Sequence, residues 1–526
     1  MNQTLALAAP LRLSHARLRR FARPASPRLP LECSLLLLSL TAAALGASWW
    51  PSSAWSIVAT VNYAWMCTLI FRIEPRGAVL MLPYIISRAS NMFALIMIEH
   101  GAEMFEIGAV GQPGPWSNLL NIYTALFWTA AVVVLKPCLA MLDRRRTSGL
   151  SPVFDRFANL IASVTLALVG LLAAYLLFYG LRSGFPLIEG TDRFAYRRFA
   201  ADKVTLYALN LKSIVGFVLG LVAFVIPARR WMRIAAGMLF PAMIALYFLF
   251  GDKFFTQLAA MASFFAPYLY CNYEQARRRL GVYGLAGALA LGTVALVTTY
   301  IYSQGFTQTP AATTKRLSGR MVGQGELWYL QSRIGAPLLR WDQPVLDRYV
   351  AALHIKQTEL FAIHNSLGAN YFSNRYAPDY LRASLHKNAG TVTYTAATEA
   401  TGLVLFGWLG LGAAMLVIGL LVGLCCAYAA YAIATRSMVS ALFAAYIYAQ
   451  LRSGVVQAAP WTIFSIYSAR WLSIILVIEL ALLVLGQRRL MNLPNPSRVA
   501  PAARAPRRRS LLQALRRNAL ASKGRF

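Results

Sequence analysis

The sequence predicts an all-α membrane protein of about twelve transmembrane helices, with one large, partly helical outer loop. Three observations predict it. Hydrophobic residues make up 58% of the chain and the mean hydropathy is +0.53, well above that of a soluble domain. Charged residues are only 13%. Apolar runs of about 20 residues recur along the whole chain, each long enough to cross about 30 Å of hydrocarbon as a helix. A soluble protein with buried helices does not account for so many full-length runs. Helices follow from the solvent, because in lipid every backbone N–H and C=O must be paired within its own segment.

The elements follow in order. Residues 1–30 are a basic segment ahead of the first apolar run. Runs at 31–49, 54–71, 78–98, 118–142, 158–179, 209–226, 234–250, 254–271 and 282–302 fill a membrane block over 31–303. The seventh and eighth, joined at Gly251-Asp252-Lys253, are either two spans or one re-entrant pair. Residues 304–400 are polar and interrupt the apolar pattern. Runs at 402–433, 439–459 and 468–486 fill a second block over 401–487, and the first of them is long enough that it must tilt, bend or leave the bilayer. A basic tail, 488–526, closes the sequence.

Orientation follows from the basic short connections. They hold Arg12, Arg17, Arg19, Arg20, Arg23 and Arg28, then Arg72 and Arg76, then Arg144-Arg145-Arg146. Arg229-Arg230 with Arg233, Arg277-Arg278-Arg279, Arg436 and Arg488-Arg489 continue the series. All fall on one side when the spans alternate, and the acidic connection with Glu99, Glu103 and Glu106 falls on the other. Both termini are therefore expected in the cytoplasm. The tail has no acidic residue after Arg488, so it is expected to lie on an anionic inner leaflet at about 1 kcal/mol per basic residue. This accounts for much of the +32 net charge, and no folded reader accompanies it that would suggest nucleic acid. The N-terminal basic stretch is long and lacks a clear small-residue cleavage site, so it does not read as a signal peptide.

Cys33, Cys67, Cys138, Cys271, Cys425 and Cys426 lie in or beside the spans, which excludes a disulfide framework in the polar loops. No Cys/His cluster has zinc spacing, and no P-loop, dinucleotide fingerprint or tight acidic pair for Mg²⁺ is present. A reaction independent of metal and cofactor is the expectation.

The polar segment carries the functional signal, since long ordered loops are usually functional. It holds His354, His364 and His386 and ten basic residues, among them Arg320, Arg333, Arg340, Arg348, Arg375 and Lys387. The connection after the fifth run adds Arg193, Arg197 and Arg198. Short outer connections usually avoid such residues. Arg340, Arg348, Lys356 and Lys387 read as a solvated surface. Arg193, Arg197, Arg320 and Arg333 sit beside aromatic and small residues instead, and the planar fork of arginine suits a diphosphate. Within the runs, Arg88, Arg452 and Glu479 are costly in lipid and must face a cavity or a partner; a structural pair of Arg88 or Arg452 with Glu479 is the simple alternative to a functional role.

Several short stretches carry a resemblance. Arg320-Met-Val-Gly-Gln324-Gly-Glu326-Leu-Trp328-Tyr329 resembles part of the outer loop of Wzy-type bacterial O-antigen polymerases. The Gly251-Asp252-Lys253-Phe254 turn, the run from Thr391 through Tyr394 to Glu399, and Phe406-Gly407-Trp408-Leu409-Gly410 are also similar to members of that family. The layout of many spans with one late outer loop matches too. The resemblance implies a GT-C-like glycosyltransferase of the bacterial inner membrane, joining oligosaccharide units carried on undecaprenyl diphosphate at the periplasmic face, with a chain-length regulator as a further partner. It implies that Arg193, Arg197, Arg320, Arg333 and Arg452 hold the diphosphate. Glu326, Glu399 or His364 would serve as base or orient the acceptor hydroxyl. Trp328, Tyr329, Tyr371 and Tyr394 would hold sugars. An O-antigen ligase and a lipid-linked oligosaccharide transporter remain the alternatives.

Overall fold

The computed structural model of the chain describes residues 29–104, 107–145, 157–189, 196, 201–251, 254–278, 318–319, 321–354, 367, 371–372, 375–376, 379, 398–458 and 465–491. The first helices are α1 (Leu29–Trp49), α2 (Ala54–Ile73), α3 (Pro75–Leu80) and α4 (Leu82–Glu99). A two-strand antiparallel hairpin follows, β1 (Glu103–Met104) with β2 (Ala109–Val110). Then come α5 (Trp116–Arg145), α6 (Ala158–Ser183), α7 (Lys203–Asn210), α8 (Lys212–Phe224), α9 (Arg230–Leu249) and α10 (Phe254–Arg278). The polar segment contributes α11 (Glu326–Ile334) and α12 (Gln343–His354), and α13 (Thr398–Thr435), α14 (Met438–Gln457) and α15 (Ile466–Met491) complete the order. The chain divides into two units, Met1–Leu476 and Val477–Phe526, and the packing below is that of the first.

Among the described residues, six helices are long and apolar enough to cross a bilayer, and seven if α7 and α8 count as one bent span. The chain is an all-α, multi-pass membrane protein. Every predicted run coincides with a helix or a broken pair of helices, except 282–302, which lies outside the described residues. The predicted run at 234–250 forms α9, which is by itself long and apolar enough to cross a bilayer.

Side-chain size is sorted as lipid demands. Helix α6 turns Leu160, Leu168, Leu171, Phe178 and Leu181 outward and buries Ala162, Thr165 and Gly180. Lipid tails solvate large apolar groups, so helices associate through small residues that let backbones approach. Two such contacts dominate. Gly419 and Gly423 of α13 set their Cα atoms against the Phe127 and Ala131 carbonyls of α5. Gly216 and Gly220 of α8 do the same against Ala260 and Phe264 of α10. Both pairs have the four-residue spacing that repeats on one helix face.

Polar ties lock the ends of helices. The basic connection after α2 is not simply solvated: Arg76, buried at the start of α3, grips Asp143 of α5 with two bonds of 2.9 and 2.6 Å and lies 5.6 Å from the Tyr270 ring of α10. Glu99, with no exposed surface, accepts from the N–H and hydroxyl of Ser117 at 2.8 Å each. It thereby answers free N–H groups in the first turn of α5, where negative charge is favoured.

Among the described residues several interruptions break the helical pattern. Met81 separates α3 from α4 just ahead of Pro83, Leu211 separates α7 from α8 at a bend of 54°, Asn272 departs from helical geometry inside α10, and Gly407 interrupts α13. The last accounts for the excess length of that run: its first turns, up to the break, are a separate helical piece.

Candidate functional site

Helix α4 places Tyr84, Arg88 and Asn91 on its buried face, one turn apart. Arg88 is 6% exposed and its guanidinium carbon lies 5.5 Å from the Phe127 ring. Its ion-pair partner is Glu399, 2% exposed, at the start of α13. This replaces the expectation that Glu479 would pair with Arg88. Taking both charges out of water costs several kcal/mol per ion, so the pair persists only because each compensates the other. Glu399, expected as a base, is thus held as a carboxylate counter-ion.

The break at Gly407 isolates the piece of α13 that carries Glu399. Gly407 has φ of 72°, a conformation open to glycine at low cost, and its Cα faces the Pro337 carbonyl. Backbone groups freed by the break bond to the polar segment: Arg340 N–H to Phe406 O at 3.0 Å, Asp342 N–H to Leu405 O at 3.1 Å, Trp408 N–H to Pro337 O at 3.2 Å, and Leu409 N–H to Leu338 O at 2.9 Å. Irregular backbone at this depth needs such satisfaction. Beside Glu399, the hydroxyls of Thr398 and Thr401 are buried and have no hydrogen-bond partner among the described residues.

Arg452 of α14 is half-buried and stands one turn beyond Tyr448 on that helix, as Arg88 stands one turn beyond Tyr84 on α4. Those two rings meet edge to face at 5.3 Å, and the Tyr448 hydroxyl donates to Leu80 O at 2.9 Å. Tyr84 O–H has no partner among the described residues. One turn away an apolar groove begins, lined by Leu80, Pro83, Phe217, Ala266, Ala444 and Tyr448. Along α4 and α14 alike, the sequence passes from the groove lining to a tyrosine and then to an arginine four residues on.

The polar segment enters the bundle rather than standing apart from it. Glu326 opens α11 with no exposed surface, and Gly325 before it lies within about a van der Waals contact of Ala94 and Leu95 of α4. Trp328 and Tyr329, expected as sugar platforms, are 2% and 1% exposed. Trp328 donates to Trp116 O at 2.8 Å and meets Tyr123 and Trp408 edge-on at 5.9 and 6.1 Å. The Tyr329 hydroxyl accepts from Gln112 N–H at 3.1 Å and from Arg333 at 3.3 Å. Their rings and polar tips are used up in joining α11 to α5 and α13, so neither offers a face to a sugar. Arg333 is exposed beside Tyr329.

Other expected residues divide as follows. Arg193, Arg197, Arg320, His364, His386 and Tyr394 lie outside the described residues, as does the Asp252-Lys253 part of the turn. Tyr371 is half-buried, and its hydroxyl accepts from Arg375 at 2.6 Å. Arg375 is exposed and held against two rings, Tyr371 at 5.9 Å and Tyr376 at 5.5 Å, and the bond to Tyr371 pushes its pKa up. This fixed cation was grouped with the other loop arginines by sequence; the aromatic at each side, Tyr371 and Tyr376, was the signal that singles it out. Arg340 is tied to Asp342 at 2.6 Å. Among the described residues no group of three or more His, Cys, Asp or Glu side chains is arranged to hold a metal.

The arrangement brings cations and hydroxyl donors suited to an anion into the same bundle as an apolar groove. Arg88 and Arg452 supply charge, and the hydroxyls of Tyr84, Thr398 and Thr401 supply donors. Comparison with known proteins adds one match: the model of a family of unknown function, DUF6418, covers residues 364–471. That stretch includes Glu399, the Gly407 break and Arg452. No curated protein and no solved structure matches the chain.

Proposed function

We propose that the chain is a glycosyltransferase that polymerises oligosaccharide repeat units carried on undecaprenyl diphosphate. In this reading it is a GT-C-like enzyme of about twelve spans in a bacterial inner membrane. Both termini are cytoplasmic and the polar segment is periplasmic. The observation that carries the reading is a pair of interior arginines, buried Arg88 and half-buried Arg452, each one helical turn beyond a tyrosine, Tyr84 and Tyr448, whose rings meet beside an apolar interhelical groove. Such a site matches an amphiphile with a long apolar tail and a compact polyanionic head. The resemblance to Wzy-type polymerases supplies the rest of the substrate.

The chemistry asked of the residues is limited. An acceptor sugar hydroxyl attacks the anomeric carbon of the donor chain as the bond from that carbon to the diphosphate oxygen breaks. The hydroxyl proton goes to a base, for which Glu326, Glu399 and His364 are the candidates. Charge develops on the departing diphosphate, and fixed guanidinium groups stabilise it without reorganisation. Arg452, half-buried and without a carboxylate partner among the described residues, is the first candidate for that contact, with Arg320, Arg193 and Arg197 from the outer connections.

The test is the glycan profile of cells and a polymerisation assay on lipid-linked units with the purified protein. Arg452→Ala should reduce long-chain product by about 10²–10³-fold at normal accumulation, the scale of losing one stabilising donor. Arg452→Lys should recover only part, because a point charge lacks the fork. Unchanged polymer length in Arg452→Ala would remove this residue from the site. A second reading, a lipid-linked oligosaccharide transporter, draws on the broken helices at Leu211 and Gly407, a trait of transporter binding sites. Translocation of the lipid carrier without polymer formation would favour it.

A further inference from the structure

Glu399 occupies one of the two interior arginines, and the surroundings are built for its release. It sits on a short helical piece separated from the rest of α13 by Gly407. The break makes that piece a unit distinct from the remainder of α13, which packs on α5 through Gly419 and Gly423. Near the pair along its two helices, the hydroxyls of Tyr84, Thr398 and Thr401 are buried without partners among the described residues. A carboxylate uses none of them. A diphosphate has more oxygens and more charge than a carboxylate and can take a bidentate bond from a guanidinium together with hydroxyl donors.

We propose that Glu399 is an internal counter-ion that neutralises Arg88 in the unliganded protein and is displaced from it when the diphosphate head of the lipid carrier binds. The proposal rests on the lipid-diphosphate reading above and adds its regulation. Arg88 is kept compensated until the anion arrives, and arrival frees the first piece of α13. Thermodynamic linkage gives the consequence: whatever Glu399 contributes to holding Arg88 is subtracted from the affinity for the anion.

The experiment uses the full chain in lipid nanodiscs, with inorganic pyrophosphate and farnesyl diphosphate as probes in calorimetric titrations. Glu399→Gln should bind both about tenfold more tightly than the natural chain, within the usual range of coupling. Adding Arg88→Gln to it should abolish the gain. Equal or weaker binding by Glu399→Gln overturns the exchange while leaving the diphosphate reading standing. If the natural chain and both variants bind neither probe, the diphosphate reading falls and the exchange falls with it. A second measurement needs no variant: saturating pyrophosphate should raise amide hydrogen exchange over residues 398–408 in the natural chain. Unchanged or slower exchange there overturns the proposal even if Glu399→Gln fails to accumulate.

Discussion

Removing either member of the Arg88–Glu399 pair leaves a charge in the protein interior without compensation. Arg88→Ala or Glu399→Ala should lower stability by about 3–5 kcal/mol, read as a large drop in the unfolding midpoint in detergent. Replacing both with apolar residues of similar volume, as in Arg88→Met with Glu399→Leu, should restore most of the loss. A double variant as unstable as the single ones would show that each residue has partners beyond the other. The sequence made Arg88 visible as a costly residue, because few charges stand inside apolar runs. It did not identify the partner, since that depends on which helix ends meet across more than half of the chain. Trp328 and Tyr329 show the same limit in reverse. Their chemistry suits a sugar, but which way a ring points in a polar segment is decided by the packing of α11 on α5 and α13, and that packing turned both inward.

The elements carry their own tests. Gly407→Ala forces a side chain onto a left-handed backbone that faces the Pro337 carbonyl, and should cost about 1–3 kcal/mol. Its effect should be local, with faster amide exchange in residues 398–409 and little change in α14. Gly423→Val should act differently, parting α13 from α5 along their length and lowering the global unfolding midpoint. At α7, Asp202 caps the helix by accepting from Thr205 N–H at 2.7 Å and also accepts from the Tyr175 hydroxyl at 2.7 Å. The bond to Thr205, ahead of that to Tyr175, holds its carboxyl below the usual carboxylate range. A depressed pKa places this stabilisation above the ordinary carboxylate value, and it is lost as pH falls through the lowered one. Exchange protection of residues 203–210 should therefore be full at neutral pH and decline only in strong acid, and Asp202→Ala should cost about 1 kcal/mol at neutral pH. The helices themselves were legible, because apolar length sets them. Their breaks were only partly so: Pro83 and the glycines around Trp408 mark where a helix can fail, while Leu211 has no marker in its own residue type.

For the whole molecule, the proposed reaction needs the polar segment and the diphosphate site on one side of the membrane. Tags at Arg145, Arg278 and the C-terminus should report the cytoplasm, and tags near Ala200 and Arg348 the opposite side. A cytoplasmic signal at Arg348 would place the polar segment on the wrong face for the proposed polymerisation. The sequence predicts this topology from the regular alternation of the basic connections. Yet Arg76, counted there as an orienting charge, is also a buried structural clamp between α3 and α5. The convergence of α4, α11, α13 and α14 around the site was not readable, since it is set by small-residue contacts such as Gly419 against Phe127 that carry no signal in hydropathy.

The four backbone bonds that close the Gly407 break have a consequence for biogenesis. Their partners, Pro337 to Asp342, are synthesised well before α13. When α13 leaves the ribosome, the strip that completes its interrupted backbone has already been made. The early segment acts as a waiting template, so that strip must be in place before the longest apolar helix can take its final form. A chain whose polar segment is delayed would present α13 to the insertion machinery as an unbroken, overlong helix, with Glu399 drawn toward the lipid instead of toward Arg88.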